Sequence, residues 1–339
     1  MKDLIIGGQR IAPGKTAQIE MPVVRLYTDT DISMPVHVIR SKREGPTMFV
    51  SAAVHGDEIN GIEIVRRLIR MKTLRLSAGT LILVPMVNVY GVLNQSRYMP
   101  DRRDLNRCFP GSTKGSLAGI VAHTFLSEIV SHCQYGIDLH TGAIHRSNLP
   151  QVRADLTDEE TRRLAEVFGV PVLLNSTLRD GSLREAAVDL GTRILLYEAG
   201  QALRFDELSI RAGIRGIQNV LAELGMTTKR RGRKGTGTVS PFVANTSAWT
   251  RANASGIVNS LKNLGDHVQK GDALARIGNP FGKVFATVRA LRSGIIIGKQ
   301  NIPLVQEGDA MFHLAYFTEE DEEIVQNIEL MQSSLLPSV

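Results

Sequence analysis

Apolar positions along this chain fall into two alternating patterns. Short apolar or β-branched runs bounded by Gly, Pro or polar residues read as buried strands: 47–54, 79–85, 135–140, 170–174 and 192–198. Between them, apolar residues recur at helical spacing, as in Ile59, Ile62, Val65, Leu68 and Ile69, and in Leu117, Ile120, Val121, Phe125 and Ile129. Further helices are expected over Asp158 to Phe168, with Thr157 as N-cap and Glu160 closing a capping box, over Arg184 to Leu190, and over Asp206 to Leu224. Strands alternating with helices predict an α/β domain built on a mixed, largely parallel sheet flanked by helices.

The pattern changes at both ends. Residues 1 to 46 carry β-like segments, Ile19 to Tyr27 and Pro35 to Arg40, and His37 sits there as a strand residue. Residues 1–225 form the first domain, and a basic, Gly-rich linker is expected over 226–247. From 248 to 318 short strands alternate with Gly-Asp turns, a small all-β module. Its spacing Gly265-Asp266-x-Val268-x-x-Gly271-Asp272-x-Leu274 resembles the biotinyl/lipoyl hammerhead fold. The Met-Lys-Met of a carrier tip is missing, and Lys283 lies beyond a Pro and a Gly, so the module is expected to shape a substrate entrance or a homo-oligomer contact. The tail, 319–339, is acidic and amphipathic.

Composition narrows the class. A hydrophobic content of 43% with 22% charged residues suits a globular protein with a sizeable core. The net charge of +6 owes much to Lys229-Arg230-Arg231-Gly232-Arg233-Lys234, but with only 5% aromatics to stack bases no nucleic-acid partner is expected. Two cysteines exclude a disulfide framework, and no apolar run reaches the roughly 20 residues of a membrane span. With no signal-peptide core at the N-terminus, a cytoplasmic protein without a membrane partner is expected.

Three strand ends carry four residues with chemistry to offer. His55 and Glu58 lie at a strand-to-helix turn, His140 ends a third strand and Glu198 another. Carboxyl ends of parallel strands are where open α/β sheets bind ligands. A lone His there is usually structural, and a lone Glu opening a helix is favoured by the macrodipole. Together they supply imidazole nitrogen and carboxylate oxygen, the donors of a catalytic zinc that keeps one open position. The long polar loop 88–115 adds arginines and acids beside them.

His55-Gly56-Asp57-Glu58, Asp104-Leu105-Asn106-Arg107, Asp138-Leu139-His140-Thr141-Gly142 and Glu198-Ala199-Gly200, in that order, resemble the succinylglutamate desuccinylase/aspartoacylase family, part of the wider zinc carboxypeptidase-like fold. The resemblance spans roughly residues 45 to 225. It implies one zinc ion on His55, Glu58 and His140, with Glu198 as general base. It also implies that Asn106 and Arg107 bind a substrate carboxylate, and that Arg97, nine positions before Asn106, polarises the scissile carbonyl. Asp138 either orients His140 or is a solvated strand end, and Arg184 either faces the site or lies on a surface helix. Arg102 and Arg103 are contacts or loop surface. The implied activity is hydrolysis of a small anionic N-acyl amino acid or similar N-acyl amine by zinc-activated water. A carboxypeptidase is the nearest alternative, and a non-catalytic carrier built on the C-terminal module is one of another class.

Overall fold

The computed structural model describes residues 3–228 and 241–316. The basic run 229–234 and the tail from 319 lie outside the described residues. One mixed sheet organises the chain. Its main path runs Thr16–Arg25, Asp31–Arg40, Thr80–Val84, Thr47–Ala52, Tyr135–Gly142, Arg193–Gln201, Arg146–Ala154, Gly294–Gln300, Ala310–Tyr316, Ser247–Arg251. The four strands from Thr80–Val84 to Arg193–Gln201 pair in parallel.

Both flanks of that path are antiparallel, so the sheet is mixed, as expected, but along this path its parallel pairing is confined to the central strands. The reversal at Arg146–Ala154 has a simple cause. Only Ala143, Ile144 and His145 separate it from Tyr135–Gly142, too few for the crossover that a parallel partner needs.

The central strands are buried on both faces because each packs a different set of side chains to either side. Phe49, Ile82 and Val84 join a cluster with Val121, Phe125 and Ala187, from the helices Leu117–Glu128 and Leu183–Asp189. Met48, Val50, Leu81 and Leu83 join the opposite cluster with Leu68, Leu164, Phe168 and Ile217, from the helices Asn60–Arg70, Glu159–Phe168 and Glu207–Glu223. The Glu159–Phe168 helix is capped by Asp158, not Thr157: its carboxylate accepts from the Thr161 N–H at 2.8 Å. A carboxylate one residue later reaches the orphan donor of the first turn as well as a hydroxyl would.

The C-terminal part is all β and continuous with the main sheet. Gly294–Gln300 pairs with Arg146–Ala154. A separate four-stranded antiparallel sheet, Val284–Arg289, Ala273–Gly278, Gly256–Ser260 and Leu304–Val305, closes over it on a third apolar cluster. Within the expected linker, Phe242–Ala244 is a strand paired with Val172–Asn175. Among the described residues no helix is long and apolar enough to cross a membrane.

Candidate metal and active site

The strand Thr47–Ala52 ends abruptly. Ala53 takes a left-handed φ of 52°, a conformation unusual for a residue with a side chain. The chain then turns through His55, whose carbonyl accepts from the Glu58 N–H at 3.1 Å. Gly56 is required here, since a Cβ would meet the Gly91 backbone at 1.9 Å. The helix Asn60–Arg70 begins just after, without a side-chain cap. Asn60 instead ties this turn to Glu198's strand, donating to the Ala199 carbonyl at 3.2 Å and accepting from the Asp206 N–H at 2.9 Å.

Register brings the other groups in. Ala52 pairs with Leu139, and Glu198 pairs with His140 across adjacent parallel strands. His55, His140 and Glu198 therefore stand on one edge, that of the strands' carboxyl ends. Glu58 is buried between the imidazoles, with its two oxygens 2.7 Å from His55 Nδ1 and 2.8 Å from His140 Nδ1. The Thr141 N–H also donates to it, at 3.0 Å. Potential ligand atoms of these three residues lie within 4.8 Å of one another.

The remote nitrogen of each imidazole meets a carboxylate. His55 Nε2 lies 3.1 Å from Asp104 and His140 Nε2 lies 2.7 Å from Asp138. Asp138 in turn accepts from the Ser51 hydroxyl at 2.7 Å. Of the two readings of Asp138, the geometry shows the contact to His140.

Charge balance follows. Burial alone would lower the affinity of both imidazoles for protons, but Glu58 and their outer carboxylates outweigh it and raise both. Burial would likewise raise Glu58, yet the two imidazoles hold its carboxyl well below the usual range. A cluster that stabilises positive charge at two nitrogens facing one carboxylate, with outer carboxylates fixing both rings, fits a metal cation.

These residues line a cavity of about 580 Å³. Glu198 also lines it, accepting from Asn148 Nδ2 at 2.6 Å and pairing with Arg153 at 3.3 Å. Arg97 reaches Glu58 at 3.3 Å and Asp104 at 3.0 Å. Asn106 and Arg107 come from the turn Leu105–Arg107, anchored by the Asp104 carboxylate on the Asn106 N–H at 2.9 Å. Asn106 spends its carbonyl oxygen on the Leu183 N–H at 2.8 Å, so its amide N–H groups remain as donors.

Arg184 is buried and not a surface residue. It donates to the Ser176 hydroxyl at 3.2 Å and to the Thr177 carbonyl, while its Nη1 has no partner among the described residues. Burial, with Arg153 nearby, pushes its pKa down to about 10.

All eight residues singled out from the sequence, His55, Glu58, Arg97, Asn106, Arg107, His140, Arg184 and Glu198, line this one cavity. Arg102 and Arg103 are exposed and do not. Sequence reasoning missed Ser51, the role of Asp104, and Asn148 and Arg153 on Glu198. It also missed Arg146 and Trp249 on the cavity wall. Asp104 stood inside a quoted motif and could have been questioned as the partner of His55; the others carried no local signal.

A mixed sheet flanked by helices thus carries, at its carboxyl edge, a buried His-Glu-His cluster that could hold a metal ion. The sequence profile of the succinylglutamate desuccinylase/aspartoacylase catalytic domain matches residues 44–224, more than half of the 339 residues, and the chain belongs to this family. It is 27% identical over 298 residues to an N-alpha-acetyl-L-2,4-diaminobutyric acid deacetylase of Halomonas elongata, covering 85% of this chain and 87% of that one. Its fold is similar to the product-bound ectoine utilization protein EutE (DoeB) from Ruegeria pomeroyi, with a TM-score of 0.78 and 23% identity over 90% of this chain and 98% of that one. It is also similar to a succinylglutamatedesuccinylase/aspartoacylase from Rhodobacter sphaeroides, with a TM-score of 0.76 and 24% identity over 89% and 96%.

Proposed function

We propose that this chain is a zinc-dependent deacylase that hydrolyses the amide bond of an N-acyl amino acid or similar small N-acyl amine. The observation that carries the reading is the convergence of His55, Glu58 and His140 in the same cavity as Glu198 and several arginines. The Halomonas relative, named as a deacetylase of an N-acetyl amino acid, supports it.

His55, Glu58 and His140 would hold the zinc. Bound there, zinc would supply a lowered pKa for a water and polarisation of a carbonyl. Glu198 takes the proton of the attacking water and passes it to the leaving amine. Asn148 and Arg153 hold the Glu198 carboxylate in place. Arg97 brings positive charge to the side of the site where oxyanion charge develops. Arg107 and the Asn106 amide receive the substrate carboxylate, and both stand on a turn fastened by Asp104, which also holds His55.

The reading is tested by incubating the zinc-loaded protein with N-acetyl, N-succinyl and N-formyl amino acids and with a peptide, and measuring released amine. Turnover within the ordinary range of about 1–10³ s⁻¹ on at least one N-acyl amino acid is expected. No release from any of them at full zinc occupancy, or release from the peptide alone, would overturn it.

A second outcome concerns the carboxylate clamp. Arg107→Ala should raise KM for an N-acyl amino acid by about 10–100-fold, since bonds to a charged partner contribute roughly 1.5–3 kcal/mol. The methyl ester of the same substrate should respond far less. Equal losses on acid and ester would remove Arg107 from the clamp.

A further inference from the structure

We propose that Arg146 is a specificity-determining residue that reads a second carboxylate on the substrate, and that Trp249 positions it; the proposal deepens the deacylase reading and rests on it. Arg146 opens the strand Arg146–Ala154, and Trp249 comes from Ser247–Arg251, at the far edge of the sheet. Both line the cavity that holds His55, Glu58 and His140.

The Arg146 guanidinium lies over the indole of Trp249, 5.1 Å from its centroid. The imidazole of His313 stacks on the same indole, with centroids 4.9 Å apart and planes 9° apart. His313 is buried and lies 3.0 Å from the Ser247 hydroxyl. Burial, with Arg153 nearby, pushes its pKa down to about 3, so a neutral ring backs the indole and leaves its quadrupole to Arg146. The stack sits close against Gly298, where a Cβ would come within 2.9 Å of His313 Cβ and 3.4 Å of Trp249.

Stacking engages the face of a guanidinium and leaves its in-plane donors available. Nε of Arg146 donates to Gln300 at 3.4 Å. Its two terminal nitrogens have no acceptor among the described residues, and an oriented fork of this kind matches a carboxylate bidentately.

Charge on the wall sets the sign of the selection. Arg97 and Arg153 are paired with carboxylates. Among the described residues no carboxylate lies within ion-pair distance of Arg107, Arg146, Arg179 or Arg184, and Asp180 is the wall's acid outside Glu58 and Glu198. With Arg107 assigned to one carboxylate, the remaining arginines favour another negative group and disfavour an ammonium. The cavity therefore suits a dicarboxylic substrate better than N-acetyl-L-2,4-diaminobutyrate, the type of compound in the Halomonas relative's name.

The test compares N-acetyl-L-glutamate, with the extra carboxylate on the amine half, N-succinyl-L-glutamine, with it on the acyl half, and N-acetyl-L-glutamine, which lacks it. N-acetyl-L-2,4-diaminobutyrate is the cationic member. The zinc-loaded wild type should favour one of the two dicarboxylic compounds in kcat/KM and use the cationic one least. Arg146→Gln should raise KM for the favoured compound about 10–100-fold with kcat nearly held, and the change on N-acetyl-L-glutamine should be at least fivefold smaller. Trp249→Ala should reproduce that KM rise, and Trp249→Phe, which keeps a flat face, should restore most of it. Equal effects of Arg146→Gln on charged and neutral compounds, or preference for the cationic compound, would overturn the proposal. If nothing is hydrolysed, the deacylase reading fails. Calorimetric binding of N-acetyl-L-glutamate and N-acetyl-L-glutamine then decides on Arg146 by itself: a tenfold or greater loss confined to the glutamate compound in Arg146→Gln upholds its role, and no such difference ends it.

Discussion

Glu198→Gln is expected to lower turnover about 10²–10⁴-fold, the usual contribution of general acid–base catalysis, while fold and metal content stay near those of the wild type. Glu198 is one of four acid or imidazole groups at the carboxyl edge of the sheet, but it lies outside the mutually close set of His55, Glu58 and His140. Its contacts are Asn148 and Arg153. A glutamine carbonyl can accept from both, so shape and placement survive. What is lost is a group able to take a proton at neutral pH. The measurements are kcat on a confirmed substrate, zinc by elemental analysis and circular dichroism. Turnover within a few-fold of wild type would mean that another group is the base. Loss of zinc together with turnover would make Glu198 a ligand, and Glu58 would be reconsidered as the base.

His55→Ala and His140→Ala should each lower zinc occupancy by tenfold or more, with activity falling in step. Each imidazole presents one nitrogen beside a Glu58 oxygen and has the other within 3.1 Å of a carboxylate. Removing a ring deletes a donor and leaves buried Glu58 with an uncompensated contact. Asp138→Asn, which keeps the volume but weakens the hold on His140, should reduce zinc affinity less, by about 10–100-fold. Full occupancy in both alanine variants would refute the assignment. A loss in Asp138→Asn as large as in His140→Ala would give Asp138 a larger part than orientation.

Much of the site was legible because its parts sit where local pattern changes. Apolar runs that stop at His or Glu mark strand ends, and in a parallel sheet those ends share an edge. His55, Glu58, His140 and Glu198 could be read that way, and the order of their motifs carried the family. Arg146–Ala154 was not legible. Its sequence, Arg-Ser-Asn-Leu-Pro-Gln-Val-Arg-Ala, shows little apolar alternation. Arg146, Asn148 and Arg153 turn to the cavity, so the residues that serve the site erase the signal of the strand that carries them. Arg184 was ambiguous for a related reason: a charged residue on a short helix reads as surface unless its neighbours in space are known.

The sequence by itself determined most of the alternating strands and helices, the strand ends that bear His55, His140 and Glu198, and the family, since each depends on residues near one another in the chain or on the linear order of motifs. Tertiary structure alone decided how distant groups meet. Asp104 reaches His55 from 49 residues away, Asn148 reaches Glu198 from 50, and Trp249 joins the wall from an edge strand beyond residues 44–224, which match the family. Such contacts depend on sheet order and register, which the period of apolar residues does not encode. Only the assembled sheet shows that the C-terminal strands complete the cavity, because pairing Gly294–Gln300 with Arg146–Ala154 is what carries Trp249 and His313 to Arg146.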